Sequence, residues 1–149
     1  MLDIHELRRQ HRLIMIHATG LRGLGDMIKT RHDAEEARAA IKGIDRMLVE
    51  HLTLEDDHLY PALLAGPDRE VAAMAADCAE EMGGIRGAWV AYHDQWTAAA
   101  IAADPARFSA ATAGVIGALA LRVERENTEL YPAFEALAQA PIAARRAAG

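Results

Sequence analysis

The chain has few aromatic residues, a single cysteine and no long apolar run. Aromatics make up 5% of its 149 residues. Because no stretch of about 18 uninterrupted apolar residues occurs, the sequence predicts no membrane-spanning segment. Cys78 has no second cysteine with which to form an internal disulfide, which predicts a reducing, cytoplasmic location. The charged residues at the start of the chain also argue against a signal peptide.

Excess positive charge is also missing. The formal net charge is −6, and basic residues cluster only near the two ends, at Arg8, Arg9 and Arg12 and at Arg145 and Arg146. A nucleic-acid-binding domain needs a basic surface, so the sequence predicts no nucleic-acid partner. Nor does it predict a membrane partner.

Alanine and other helix-forming residues dominate what is present. The chain contains 33 alanines and is 52% hydrophobic, whereas alternating strand-like runs are missing. Alanine has the highest helix propensity, so the composition predicts an all-α fold and argues against a β-sandwich. The apolar content excludes disorder, and the length is that of one domain.

Short helix-breaking segments divide the chain. Ala65–Asp68 and Asp104–Pro105 are clear breaks, and Thr30–Asp33 is a predicted turn with Asp33 as the N-cap. The breaks predict helices over 3–29, 33–64, 68–102 and 105–139. Short connections make consecutive helices antiparallel, so we expect an up-down-up-down four-helix bundle over residues 1–141. Residues 142–149 are predicted to be a frayed tail.

Each predicted helix carries one apolar stripe with alternating spacings of three and four residues, which is the pattern of a bundle core. The stripes become polar in one zone. Reflecting residue numbers through the predicted turns brings most of these positions, together with Met82, to one height in the bundle. The inward polar positions are His11, His51, Glu55, His58, Arg122, Glu126 and Glu129.

An internal repeat links the second and fourth predicted helices. His51-x3-Glu55 is followed by Leu59-Tyr60-Pro61, and 71 residues later Arg122-x3-Glu126 is followed by Leu130-Tyr131-Pro132. Two hairpins related by a pseudo-two-fold axis would place Glu55 and Glu126 on facing helices. Helical bundles build carboxylate-bridged metal sites in this way.

These residues resemble the hemerythrin-like family, also called the HHE cation-binding domain. The resemblance covers nearly the whole chain and is carried by Gln10–Ile14, by the His51-to-Pro61 motif and by Glu126 with Leu130–Pro132. It implies a helical bundle that holds two irons. Carboxylates from helices 2 and 4 bridge the irons, and each iron also takes histidines.

Compared with the family pattern, only one of the two iron sites is complete. The resemblance assigns His11 and His51 to one iron and Glu55 and Glu126 to the bridges. Met82 and Arg122 stand where histidines of the other iron are expected. We therefore expect one divalent transition-metal ion, Fe or Zn in the first place, bound by His11, His51, Glu55 and Glu126. A di-iron centre is the less favoured alternative.

Arg122, His58, Glu129 and Met82 are predicted to surround or fill the site. A guanidinium can bridge two carboxylates, so Arg122 is a candidate for the place of the missing ion. Glu55, Glu126 and Glu129 against Arg122 leave a charge of −2 with neutral histidines, which one divalent ion neutralises. For His58 and Glu129 the alternative is an exposed pair near the open end of the bundle, and for Met82 it is core packing.

Three functions remain open. The first is a metal-binding module, or a degenerate site, with a sensing or regulatory role rather than oxygen carriage. The second is a mononuclear iron enzyme acting on oxygen or peroxide, although enzymatic activity is the less favoured interpretation. The third is a metal-free scaffold, as a homodimer or with an unidentified protein partner. Its histidines would be protonated against the glutamates, and its fold would weaken at high pH.

Overall fold

The computed structural model describes residues 2–139, and every regular element in that range is helical. The all-α fold class is therefore confirmed. The predicted frayed tail at 142–149 lies outside the described residues.

Eight α-helices and two π-helical turns make up the described chain. The α-helices are α1 (Ile4–Gly25), α2 (Arg31–Leu54), α3 (Tyr60–Leu64), α4 (Arg69–Met82), α5 (Ile85–Gln95), α6 (Ala98–Ala103), α7 (Pro105–Arg125) and α8 (Tyr131–Ala138). The turn π1 (Glu55–Leu59) joins α2 to α3, and π2 (Glu126–Leu130) joins α7 to α8.

Polar side chains cap the starts of the long helices. Asp104 caps α7 with Pro105 at its first position, as the sequence predicts. The predicted N-cap of the second helix is wrong by three residues. Thr30 is the cap, and Asp33 closes a capping box by accepting from the backbone N–H of Thr30. The helix therefore begins at Arg31 rather than at 33.

The third predicted helix, 68–102, is not continuous. It ends at Met82, resumes at Ile85 and breaks again before α6. At Gly83 the chain passes so close to the preceding turn that a Cβ would lie 2.3 Å from the carbonyl oxygen of Ala79. Only glycine fits there without a shift, which explains a helix break that the apolar stripe does not signal.

The long helices surround one apolar core. Helix α1 packs against α2 and α7, α5 packs against the same two helices, and α3 lies on α4. The whole inward stripe of α1 is buried from Ile4 to Gly25. At the far end of the core Trp89 is buried, and its indole N–H donates to Asp45 Oδ1 at 2.8 Å.

The run Pro105–Ala138 is long and apolar enough to cross a membrane by length and composition alone, with a mean hydropathy of 1.3. The core helix of a soluble protein passes the same test, so this is weak evidence. In this protein the run contributes buried Arg122 and Glu126 to the interior.

Candidate metal centre

Four side chains from four helical elements meet in the bundle interior. His11 comes from α1 and His51 from α2, while Glu55 and Glu126 are the first residues of π1 and π2. One ligand atom from each lies within 4.8 Å of the others, and all four residues are buried. His51 Nε2 is 3.1 Å from Glu55 Oε1, and His11 Nε2 is 3.2 Å from Glu126 Oε1. The structure thus brings together the four residues predicted to hold the ion.

A widened helical turn follows each of the two glutamates. In π1 the backbone N–H of Tyr60 bonds to the carbonyl of Glu55, five residues earlier. Pro61 comes next, and in a regular α-helix its ring would clash with the carbonyl of Asp57. The wider π turn relieves that clash, and π2 repeats the arrangement 71 residues later.

The π turns explain two corrections. His58 and Glu129, predicted to surround the site, lie outside it. His58 is exposed, and Glu129 pairs with Arg125 at 2.8 Å on the surface. An α-helical stripe continues from Glu55 to His58, but the wide turn changes the phase, so Leu59 and Tyr60 point inward instead. The exposed placement was the alternative for both residues.

Two tyrosines reach the glutamates across the bundle. The Tyr131 hydroxyl donates to Glu55 Oε2 at 2.5 Å and lies 2.9 Å from His11 Nε2. The Tyr60 hydroxyl donates to Glu126 Oε2 at 3.0 Å. Sequence reasoning missed both tyrosines as site residues, although the repeated Leu-Tyr-Pro segment was a signal for them. Each tyrosine occupies one oxygen of the glutamate in the opposite half.

Arg122 points into the site. Its Nε donates to Glu126 Oε2 at 3.0 Å, and its Nη2 donates to Asp56 Oδ1 at 2.7 Å and lies 3.4 Å from Glu55 Oε1. The guanidinium also stands over the Tyr60 ring, 5.2 Å from its centroid. It therefore bridges both carboxylates, in agreement with the prediction. Asp56, its shortest contact, was not predicted.

Met82 contributes its backbone to the site. Its carbonyl oxygen lies 3.4 Å from Arg122 Nη1, while the residue itself is 3% exposed in the apolar core. The carbonyl is available because α4 ends at this residue, where the last carbonyls of a helix lack partners within the helix. Core packing and a supporting contact to Arg122 both describe this methionine.

The outer nitrogens of the two imidazoles contact side-chain amides. His51 Nδ1 is 2.7 Å from Gln10 Oε1, and His11 Nδ1 is 2.8 Å from Asn127 Oδ1. Such contacts commonly orient imidazoles that bind metals. Asn127 was not predicted, although it follows Glu126 as Asp56 follows Glu55 in the repeat.

Two buried polar atoms at the centre lack hydrogen bonds. They are His51 Nε2 and Glu126 Oε1. Both lie within ion-pair distance of another site atom, but not in hydrogen-bond geometry. Buried polar groups are nearly always satisfied, so unpaired atoms of this kind indicate a missing partner. Two imidazole nitrogens with two carboxylate oxygens suit Zn²⁺ or Fe²⁺, so the residues present fit a metal ion.

The electrostatics of the site favour bound positive charge. Burial opposes protonation of His11, but hydrogen bonds to Glu126 and Glu55 outweigh it and raise its pKa to about 9. Burial likewise opposes ionisation of Glu55, yet hydrogen bonds from His11 and His51 hold its pKa well below the usual value. For Glu126, burial and the charge of Glu55 raise the pKa. The cavity thus attracts cations, whether protons or a metal.

Comparison with known proteins identifies the kind of domain. The family model of the Hemerythrin HHE cation binding domain matches residues 2–134, a span that contains all four converging residues. Neither the curated proteins nor the solved structures give a match.

Proposed function

The chain belongs to the hemerythrin HHE cation-binding family, and on that premise we propose that it binds one divalent transition-metal ion, Fe or Zn. The ligands are His11, His51, Glu55 and Glu126. The role is sensing or regulation rather than oxygen carriage.

One observation supports the proposal most directly. His51 Nε2 and Glu126 Oε1 are buried, face a common centre and have no hydrogen-bond partner. A cation between them would satisfy both atoms together with His11 and Glu55.

The charge of the site fits one divalent ion. Glu55, Glu126 and Asp56 lie against one guanidinium, that of Arg122. Three carboxylates and one cation leave −2 with neutral histidines. The charge expected from the sequence is thus kept, with Asp56 in the place of Glu129. Buried charge without compensation costs several kcal/mol per ion, so a dication stabilises this arrangement.

The hydrogen bonds favour one ion over two. A carboxylate that bridges two metals uses both of its oxygens. Here Tyr131 occupies Glu55 Oε2, while Tyr60 and Arg122 both occupy Glu126 Oε2. Each glutamate therefore offers one oxygen to the centre, and Arg122 takes the space and charge of a second cation.

The regulatory role follows from the missing second site. The resemblance to the family implies that oxygen carriage needs two irons, and Met82 and Arg122 replace histidines of the second one. A bound ion would supply Lewis acidity and, as iron, a redox couple. The protein's own residues hold that position in a buried, water-poor interior and fix its charge.

The finer architecture and the location are part of the same proposal. Gly25 lies beside Phe108 and Thr112, and Arg8 contacts Asn127, so α1 and α7 run antiparallel. This supports an up-down-up-down order of the long helical runs. We also propose a cytoplasmic location, on the support of the single buried cysteine.

Metal analysis of the protein purified without an affinity tag tests the proposal. We expect about one equivalent of Fe or Zn per chain, either as purified or after titration. His51→Ala should lose the ion, whereas His93→Ala should keep it because His93 is a ring partner of Asp94 outside the site.

A metal content below about 0.2 equivalents that titration does not raise would overturn the proposal. So would equal metal content in the two histidine variants.

A further inference from the structure

Both imidazoles are held at their outer nitrogen by an amide oxygen. Gln10 Oε1 lies 2.7 Å from His51 Nδ1, and Asn127 Oδ1 lies 2.8 Å from His11 Nδ1. An amide oxygen accepts hydrogen bonds and cannot donate them. Each contact is therefore made by an Nδ1–H group, which leaves the Nε2 lone pair of a neutral imidazole facing the glutamates.

The surroundings of Gln10 fix which end of its amide faces His51. The amide nitrogen lies 3.5 Å from Glu6 Oε1, at the long end of hydrogen bonding. A carboxylate only accepts, so it attracts the NH₂ end and leaves the oxygen for the imidazole. Arg9 holds Glu6 in place through a 2.8 Å bond from Nε to Glu6 Oε2.

The wide turn π2 places Asn127 against His11. Asn127 directly follows Glu126, and its backbone carbonyl accepts from Arg8 Nη1 at 3.2 Å. Arg8 in turn pairs with Glu135 at 2.9 Å. The backbone of Asn127 is thus tied to α1, the same helix that carries His11.

The repeat supplies a second argument. Asp56 follows Glu55 as Asn127 follows Glu126, and Asp56 contacts Arg122 as Asn127 contacts His11. A carboxylate matches the permanent cation, and a neutral amide matches the imidazole. A neutral acceptor orients the ring without adding a further negative charge to the site.

We propose that Gln10 and Asn127 are positioning residues that keep His51 and His11 in the Nδ1–H tautomer, so that both rings bind the metal through Nε2. This inference rests on the proposed metal-binding function.

Zn²⁺ affinity of three glutamine variants, measured by competition with a chromophoric chelator, tests the Gln10 half. Gln10→Met keeps the side-chain length but loses the acceptor, and we expect about 10- to 100-fold weaker binding. Gln10→Glu restores an acceptor and should bind within a few-fold of the parent. Gln95→Met, on the exposed end of α5, is the matched control and should not change the affinity.

Asn127→Leu and Asn127→Asp repeat the design for His11. Loss of affinity in Asn127→Leu with recovery in Asn127→Asp supports positioning, because a packing role would not be rescued by a carboxylate. If either Met or Leu variant fails to fold, the other and the two rescue variants still decide the outcome.

Nitrogen-15 NMR of the histidine rings gives a readout that needs no metal. We expect protonated, slowly exchanging Nδ1 in both His11 and His51 of the metal-free protein. Gln10→Met should lose this protection at His51 alone. An unprotonated Nδ1 in either ring would overturn the inference for that ring.

The two measurements separate this inference from the proposed function. If the parent protein binds Zn²⁺ but Gln10→Met and Asn127→Leu bind it equally well, positioning is wrong and metal binding stands. If the parent binds no metal, the proposed function fails and the inference that rests on it fails too. In that case the NMR spectra still show whether the amides set the tautomers.

Discussion

The site has two halves that share a backbone and differ in their cation. In the imidazole half, defined by His11, His51 and Asn127, two neutral rings face the centre. In the guanidinium half, defined by Met82, Arg122 and Asp56, one permanent cation does so. Each member of the second half follows its counterpart, or for Asp56 precedes it, by 71 residues. Both halves keep the glutamate, the π turn and the tyrosine after it.

The comparison shows that the backbone does not decide which cation a half uses. Two side chains on a common scaffold make the difference, and a third follows them. His51 with Asn127 in the opposite turn leaves an open position, whereas Arg122 with Asp56 fills one. In the imidazole half the positive charge is exchangeable, but in the guanidinium half it is covalently attached.

Restoring the missing imidazoles should have the largest effect. Met82→His with Arg122→His removes the fixed cation and supplies two ring nitrogens, so we expect metal content to rise from about one to about two equivalents per chain. Metal analysis after titration with Fe²⁺ or Zn²⁺ measures this. Met74→His with Arg125→His, on the same two helices but away from the centre, should remain at one. A double variant that also stays at one ion would show that Arg122 does not occupy a vacated metal position.

Removing the fixed cation without replacement should destabilise the fold. Arg122→Met leaves Glu126, Glu55 and Asp56 without their shared partner, and breaking a buried ion pair costs about 3–5 kcal/mol. Arg125→Met breaks pairs at the surface, where the loss is about 0–1 kcal/mol. Urea unfolding of the metal-free variants gives both values. Similar losses in the two variants would contradict the interior role of Arg122.

Much of the fold could be predicted from the sequence because apolar spacing and helix caps are local signals. The stripe of α1 and the start of α7 at Asp104–Pro105 agree with the structure. The break at Gly83 could not be inferred from spacing, since it depends on a close approach to the carbonyl of Ala79. The stripe continues across the break, so periodicity predicts one helix where there are several.

The site was predictable as far as the helices stay regular. His51 and Glu55, one turn apart in regular helix, point as the stripe predicts. Past Glu55 the π turn changes the phase, and the prediction for His58 fails for that reason. The two tyrosines and Asp56 depend on the same turn, so an α-helical projection does not place them at the centre.

The metal-free protein should lose stability as pH rises. The pKa of His11 is raised to about 9 in the fold from 6.5, so folding favours the protonated ring. That contribution is fully present below pH 6.5 and is lost as pH rises through 9, at a cost on the order of 2–3 kcal/mol. Urea unfolding in the presence of a chelator measures it, and His11→Gln should flatten the profile.

With excess Zn²⁺ the sign should reverse, because a metal competes with protons for the imidazoles. A profile that falls toward high pH with or without Zn²⁺ would favour the metal-free salt-bridge network. It would also remove the contrast between an exchangeable and a fixed cation.

The smallest effect should distinguish the two tyrosines. Tyr131→Phe removes the hydroxyl that donates to Glu55 at 2.5 Å and contacts His11, and loss of a hydrogen bond to a charged group costs about 1.5–3 kcal/mol. Tyr60→Phe should cost less, about 0.5–1.5 kcal/mol, because Arg122 still donates to the same oxygen of Glu126 at 3.0 Å. Urea unfolding of both variants, each without metal, measures the difference. Equal losses would mean that the guanidinium does not replace what Tyr60 supplies, and the two halves would then be more alike than their side chains indicate.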